Sequence, residues 1–581
     1  MRNQEVAKIF YAIADFLKME DVDFKPAAYQ KAAIVLESLD ESLDAIYARG
    51  GKKALEDLPG IGKSMAEKIE EYIKTGKIGY YEDLKKKTPI DIGDLTAVEG
   101  LGPRRAKKLY QELGIRSLDD LEKAARSHKI AKIEGFREKT EGNILEGIEF
   151  LKRSKGRFLL GDILPRVKTI QERLSRLKEV ERIDAGGSVR RKKETIGDVD
   201  FLIISKEPKK VMDFFVSQPE AVKVWGKGPT KASIRVKEGF DIDLRVVPKN
   251  SYGAALQYFT GSKEHNIATR RIAMAKNLKL SEYGLFKGKR MVAGWDEEGV
   301  YKSLGLVWVE PELREDRGEI EAALRQAQGK AQGLPRIIGY DDIRGDLHCH
   351  SSWNGGSNNL EELADAAQKM KYEYLGISDH TKFLRIEKGL DEKKLGQRDK
   401  EIDKLNEKFK VQGLKFRLLK GCEANILNDG SVDIKDEALK KLDYVIAGIH
   451  SNFKMSESEM TERMIKAIKN PNVDIISHPT GRILKRRDEY QIDLDKILRA
   501  AKEFNVVLEI NSYPERLDLN DINIRRAKES GVKMVINTDS HQKDQLRFME
   551  LGISQARRGW AEKEDVINTH HLEKLMKYFK H

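Results

Sequence analysis

Apolar residues recur at i, i+3 and i+4 through the first third of the chain, predicting helices over Glu5 to Met19, Ala27 to Leu39, Leu43 to Ala48 and Ala66 to Lys74. After a further helix, Pro165 to Leu177, the period shortens. Val180 to Asp184, Val199 to Ile204 and Phe240 to Val247 are dense in β-branched and aromatic residues and read as strands. Residues 311–340 lose the pattern: Pro311, alternating charges and Ala-Gln-Gly repeats predict a linker holding one helix, Gly318 to Gln328. From Tyr340 seven apolar runs appear, most followed by helical pattern, which implies a parallel sheet.

The ends of those seven runs carry chemistry. They close in Asp346-Leu347-His348-Cys349-His350, Asp379-His380, Cys422-Glu423, His450, His478, Asn511 and Thr538-Asp539-Ser540-His541. Polar groups at every strand's carboxyl end imply a barrel with its site on that face. Six of the 11 histidines fall there, and with Glu423 and Asp539 they suit a borderline divalent metal such as Zn²⁺ or Mn²⁺.

A second constellation lies in the middle third. Asp198 and Asp200 open the strand that runs to Ile204, and residues two apart on a strand share a face, so both carboxylates converge. Like charges held that close call for a cation between them. The turn Gly186-Gly187-Ser188 precedes them, offering bare amides to a phosphate, and Arg190 and Arg191 add donors suited to phosphate oxygens. Asp241 and Asp243 repeat the D-x-D alternation on the next strand and could bring a third carboxylate; spacing alone does not choose between them. Carboxylates beside a phosphate cradle fit one or two Mg²⁺ or Mn²⁺ and nucleotidyl transfer.

In the first third, Leu58-Pro59-Gly60-Ile61-Gly62-Lys63 recurs as Val98-Glu99-Gly100-Leu101-Gly102-Pro103-Arg104-Arg105, each followed by a helix. Such glycine turns expose amides at the next helix's N-terminus, where a phosphate binds without sequence being read. Gly60, Gly62, Lys63, Gly100, Gly102 and Arg104 are therefore candidate DNA contacts. Ile133-Glu134-Gly135-Phe136 is a degenerate third copy, read as structural because an acid stands where the cradle should be.

At 581 residues the chain exceeds what one core supports. Its net charge of +12 is unevenly spread: the basic excess is −2 over residues 1–150, +13 over 151–310 and +1 over 311–581. That excess around the Asp198 constellation suits a polyanionic partner. Two scattered cysteines, Cys349 and Cys422, exclude a disulfide framework and point to a reducing compartment. No apolar run is long enough to span a bilayer and MRNQEVAKIF lacks a signal-peptide core, so a cytoplasmic monomer with no membrane partner is expected.

GGSVRR…GDVDFLI, then DIDLRVV, then Tyr258-Phe259-Thr260-Gly261-Ser262, in that order, resemble the nucleotidyltransferase core of the family X DNA polymerases, the DNA polymerase beta type. Lys192 stands where many relatives carry glycine. The resemblance implies that Asp198, Asp200 and Asp243 hold Mg²⁺ and carry catalysis, and favours Asp243 over Asp241. It implies that Gly187, Ser188 and Arg191 hold the dNTP triphosphate, that Tyr258, Phe259 and Gly261 shape the sugar pocket, and that Asn266 and Arg270 face the nascent pair. The two glycine repeats look like helix-hairpin-helix motifs, and Trp295 to Glu310 resembles the family's closing hairpin. Ala66-Glu67-Lys68-Ile69 matches the family's 5′-deoxyribose phosphate lyase segment, carrying the Schiff-base role to Lys68.

The barrel series resembles the PHP domain, a metal-dependent phosphoesterase with a three-metal cluster. By that resemblance His348, His350, Glu423 and Asp539 hold one metal, Glu423, His450 and His478 a second, and His380 and His541 a third with a carboxylate that Gly355 replaces here, Asn354 being a poorer neutral substitute. Together the two resemblances cover the whole chain and match the bacterial and archaeal family X polymerases with a C-terminal PHP domain. The expected architecture is multidomain: helical helix-hairpin-helix domains at 1–85 and 86–152, an α+β palm at 153–249, a thumb-type subdomain at 250–313, a linker at 314–339 and a distorted (β/α)7 PHP barrel at 340–581. The expected function is templated gap filling in base excision repair on gapped or primer-template DNA, with 3′-5′ exonuclease or 3′-phosphoesterase activity in the barrel. A catalytically weak PHP scaffold and an untemplated nucleotidyltransferase are the alternatives.

Overall fold

The computed structural model describes every residue except 1, 21, 23–24, 38–40, 59, 99–100, 139, 143, 146, 149–155, 385–388, 486 and 581. Among the described residues no helix is long and apolar enough to cross a membrane. The chain forms two compact units: Met1–Phe158, Ile170–Gly187 and Gly197–Trp308 make one, and Leu159–Thr169, Ser188–Ile196 and Val309–His581 the other.

The first unit begins with helices. Arg2–Met19 packs against Lys25–Glu37, Gly79–Lys87, Ile92–Ala97 and Pro103–Leu113, burying Val6, Phe10, Ile13 and Leu17. The stretches expected as two helical domains, 1–85 and 86–152, contribute to one apolar cluster that runs from Val6 to Ile148. The same unit then holds a five-stranded mixed sheet in the order Val180–Ala185, Asp198–Ser205, Asp241–Val246, Lys231–Val236, Ala221–Lys227. Only the Asp198–Ser205 and Asp241–Val246 pairing is parallel, so both strands bring their first residues to the same edge.

Tyr258 and Phe259 lie in the last turn of helix Tyr252–Thr260. One local expectation differs from the structure. Trp295 to Glu310, read as a hairpin, contains helix Glu297–Leu304, because the Asp296 side chain accepts from Gly299 N and caps it. The antiparallel sheet lies earlier, in Lys279–Ser281, Gly284–Lys287 and Arg290–Ala293.

The second unit is the parallel architecture. Gly345–Cys349, Tyr374–Ile377 and Arg417–Lys420 pair in parallel, as do Glu423–Asn425, Ile446–Gly448, Ile475–Ile476, Val507–Asn511 and Met534–Asn537. The third apolar run is broken at Gly421-Cys422, and parallel bridges His380–Glu423 and Cys349–Ser540 join the two sheets and close the barrel. One apolar residue from each run, Leu347, Tyr374, Leu419, Ile446, Ile475, Val507 and Val535, forms a cluster completed by Ile567, Leu575 and Phe579 from the C-terminus. Residues 314–339, expected as a linker, are instead packed into this unit: Arg314, Glu319, Ala323 and Ile338 are each 0% exposed. Glu315 and Arg317 there are paired with Arg558 and Asp521, while Asp316, Glu321, Lys330 and Arg336 stay exposed.

Candidate active sites

The parallel register sets Asp198 beside Asp241 and Asp200 beside Asp243. Asp241 is taken up elsewhere. Arg235, opposite it on the neighbouring strand, donates Nε to Oδ1 and Nη2 to Oδ2 at 2.9 and 2.8 Å, and Trp225 Nε1 donates to Oδ1 at 2.9 Å. Asp243 faces Lys231, whose Nζ lies 2.9 Å from Oδ2. Burial, then the neighbouring Asp198 and Asp243, push the Asp200 carboxyl up to about 7. Asp198 is raised by burial and then by Asp243. Three neighbouring carboxylates form a hard-oxygen donor set suited to Mg²⁺ or Mn²⁺.

The glycine turn lies against these acids. Gly186 N donates to Asp200 O at 2.8 Å, and Gly187 has φ +58 with a position for Cβ only 3.4 Å from Asp200 Oδ2. A side chain there would be strained and would crowd the carboxylate. Ser188 and Arg191 fall in the second unit, where Arg191 Nε donates to Glu315 at 3.0 Å.

The expected nucleotide pocket is a network within the first unit. The Tyr258 and Phe259 rings stand edge to face at 5.2 Å, and Arg245 lies 4.7 Å over Phe259. Asn266 donates Nδ2 to Tyr258 O at 2.7 Å and accepts at Oδ1 from buried Gln257, while Arg270 Nε donates to Asn266 O. Gln257 and Lys231 were not foreseen. Gln257 adjoins the Tyr258 motif, but only the folded contacts show that it fixes Asn266.

The helix-hairpin-helix copies share one geometry. Ile61 N donates to Leu58 O and Leu101 N to Val98 O, both at 3.0 Å, and Gly62 and Gly102 begin the next helices with no side-chain cap. Lys63 and Arg104 are exposed beside those open N-termini; Gly100 lies outside the described residues. The third copy makes the same turn, Phe136 N donating to Ile133 O at 2.9 Å with Gly135 at φ +84, as Gly60 has φ +78. Nothing stands within 4 Å of a Cβ built on Gly62. Gly62→Glu is therefore expected to fold normally and to weaken duplex DNA binding about tenfold, with a salt slope shallower by about one; a titration at two salt concentrations checks this.

In the barrel Glu423 is the hub. Its Oε2 lies 2.8 Å from His380 Nδ1 and 3.3 Å from His348 Nε2, and its Oε1 lies 3.0 Å from His478 Nε2 and 3.2 Å from His450 Nε2. Asp539 Oδ1 lies 3.2 Å from His350 Nε2. Ligand atoms lie within 4.8 Å of one another in three sets: His348, His350 and Asp539; His380, Glu423 and His450; and His350, His380 and His541. Asn354 Oδ1 accepts from His380 N at 2.9 Å, and Gly355 has no side chain to offer. Of the His, Cys, Asp and Glu side chains among the described residues, the third set holds three imidazoles and no carboxylate.

Three of these buried ring nitrogens, His350 Nδ1, His450 Nδ1 and His478 Nδ1, have no hydrogen-bond partner, and His348 Nε2, His380 Nδ1 and His450 Nε2 meet only the shared Glu423 carboxylate. Buried polar atoms in folded proteins are as a rule paired, so a cluster of ring nitrogens like this one fits a metal-binding role. Burial holds His450 down at about 4, in the neutral form a metal needs. His478 and Asp539 sit at φ 29 and 55, a strained region for non-glycine residues that persists where function demands it.

Glu509 was missed in the sequence. It is fully buried, and its Oε1 lies 2.7 Å from His348 Nδ1 while its Oε2 accepts from His478 N at 2.8 Å. It fixes the tautomer of one candidate ligand and the backbone of another. The one available signal was a lone acid inside the apolar run Val507–Asn511. Glu509→Gln is expected to weaken barrel metal affinity about 10–100-fold, read by competition with a chelating dye.

The chain is similar to known proteins along its length. Residues 1–78 match a helix-hairpin-helix domain, 92–149 a SAM-like helix-hairpin-helix tandem, 255–315 the DNA polymerase beta thumb and 346–513 the PHP domain. A DNA polymerase/3′-5′ exonuclease PolX of Bacillus subtilis is 35% identical over 585 aligned residues, covering 100% of both chains. DNA polymerase lambda of Arabidopsis thaliana is 26% identical over 54% of this chain and 62% of its own length. A probable phosphatase of Thermoanaerobacter sp. is 35% identical over 29% of this chain and 70% of its own length. The chain belongs to the family X DNA polymerases that carry a C-terminal PHP domain.

Proposed function

We propose that this protein fills short gaps in DNA by templated nucleotidyl transfer, and that its barrel removes 3′ nucleotides or 3′ phosphate ends. The observation that carries the first half is the parallel pairing of Asp198 and Asp200 with Asp241 and Asp243 beside the Gly186-Gly187 turn. Asp198, Asp200 and Asp243 would hold Mg²⁺ or Mn²⁺, which when bound lowers the pKa of a hydroxyl and neutralises phosphate charge. Asp243 draws the proton from the primer 3′-hydroxyl, which attacks the dNTP α-phosphate and displaces pyrophosphate. Gly187, Ser188 and Arg191 hold the triphosphate; Tyr258, Phe259 and Gly261 form the sugar pocket, with Asn266 and Arg270 toward the new pair.

In the barrel, Zn²⁺ or Mn²⁺ would sit among His348, His350, His380, Glu423, His450, His478, Asp539 and His541. The four imidazoles that converge on the one buried carboxylate of Glu423 support this half. A 5′-labelled gapped duplex with Mg²⁺ or Mn²⁺, with and without dNTPs, tests both together. Template-dependent lengthening and dNTP-free shortening are expected; lengthening without a template would overturn the first half, and an intact primer without dNTPs the second.

A lyase activity has its own support. Lys68 lies 4.9 Å over the Tyr80 ring and donates to Ser64. Burial lowers its ammonium against the pull of Glu67 and Glu71, with Lys25 adding to the lowering. A less basic amine is more often in the nucleophilic form. Borohydride should trap a covalent adduct with 5′-deoxyribose phosphate DNA in the parent and not in Lys68→Ala.

A further inference from the structure

The segment that follows the triphosphate turn, Ser188–Ile196, belongs to the same compact unit as the barrel. It is held there by paired charges. Glu315 Oε1 takes Arg191 Nε and Arg558 Nη1, each at 3.0 Å, and its Oε2 lies 3.6 Å from Lys193 Nζ. Arg558 Nη1 also donates to Arg191 O at 2.9 Å, so Arg191 is fixed at both its backbone and its side chain. Arg558 is in turn held by Asp521, whose Oδ2 also takes Arg317. Beyond Arg191, Lys192 pairs with Glu550 at 3.1 Å and Glu194 with Arg482 at 2.7 Å.

These groups are deeply placed. The Arg558 side chain is 2% exposed, and those of Glu315, Asp521 and Arg191 are 12–13%. Buried charge pairs of this kind are poor evidence for stability, because desolvation offsets their attraction, but they fix geometry. A guanidinium docked through Nε against a buried carboxylate loses little further freedom when it meets an anion.

We propose that Glu315 and Arg558 are positioning residues for the incoming nucleotide: they preset Arg191 for the triphosphate, so that dNTP affinity depends on residues packed with the barrel. This rests on the reading of Arg191 as a triphosphate ligand. Neither Glu315 nor Arg558 touches a metal-ligating side chain in the described contacts, so their effect passes through Arg191.

Steady-state extension of a gapped duplex by the full-length protein tests it with Arg191→Ala, Glu315→Ala, Glu315→Gln and Arg558→Lys. The expected result is a dNTP KM raised about tenfold in Glu315→Ala, with kcat within about twofold, and a parallel weakening of inhibition by pyrophosphate. Glu315→Gln, which can still accept from Nε, should recover much of the loss. Arg558→Lys keeps the charge but not the fork and should fall between. The thermal midpoint of each variant guards against unfolding; where Glu315→Ala is unstable, Arg558→Lys decides. An unchanged KM in Arg191→Ala removes the premise. A raised KM in Arg191→Ala with an unchanged or lowered KM in Glu315→Ala, or in Arg558→Lys where Glu315→Ala is unstable, overturns the positioning role itself.

Discussion

Asp200→Asn is expected to cut primer extension by about a thousandfold or more while leaving barrel hydrolysis at the parental rate. Asparagine keeps the shape of the side chain and removes the charge, so a divalent ion loses a hard anionic ligand at the point where its neighbours Asp198 and Asp243 need one. A loss of about 4 kcal/mol in transition-state stabilisation corresponds to that factor. The metal-free protein should respond in the opposite direction. Asp200 has a folded-state pKa raised to about 7 by burial and by Asp198 and Asp243, so its ionisation opposes folding as pH climbs from the ordinary carboxylate range through about 7. Asparagine removes that penalty. The midpoint of Asp200→Asn in chelator should exceed the parent's at pH 8 and approach it at pH 4. Extension at the parental rate would end the assignment of the first site.

Glu423→Gln is expected to abolish dNTP-free shortening of the primer, by about a thousandfold, with extension within about twofold of the parent. Among the described residues Glu423 alone presents both oxygens to four imidazoles, His348 and His380 on one side and His450 and His478 on the other. Glutamine replaces one oxygen with an NH₂ group, a donor that cannot ligate, and removes the charge two metals would share. Metal content measured by mass spectrometry should fall in parallel. An unchanged rate would mean that the barrel is a scaffold, whatever its metal content.

The chemistry of both sites was legible because it obeys short-range rules. Period-two alternation places Asp198 and Asp200 on one face, and polar residues at the carboxyl ends of parallel strands meet at one rim, which brought His348, His350, His380, His450, His478 and Asp539 together. The paired glycine turns were equally plain, since an αL glycine and an uncapped helix start are local events. The choice between Asp241 and Asp243 was not local: both face the same side, and the antiparallel neighbour decides by placing Arg235 opposite Asp241 and Ser233 opposite Asp243.

Composition determined the domain kinds, the basic middle and the residue types of each site, because those follow from periodicity and charge along the chain. Tertiary structure alone decided what each charge faces. Residues 314–339 read as a solvated linker because their charges alternate, yet Glu315 and Arg317 find Arg558 and Asp521 some 200 residues away, and a paired charge can be buried where a lone one cannot. Glu509 was hidden for the same reason: its partners, His348 and His478, come from other strands.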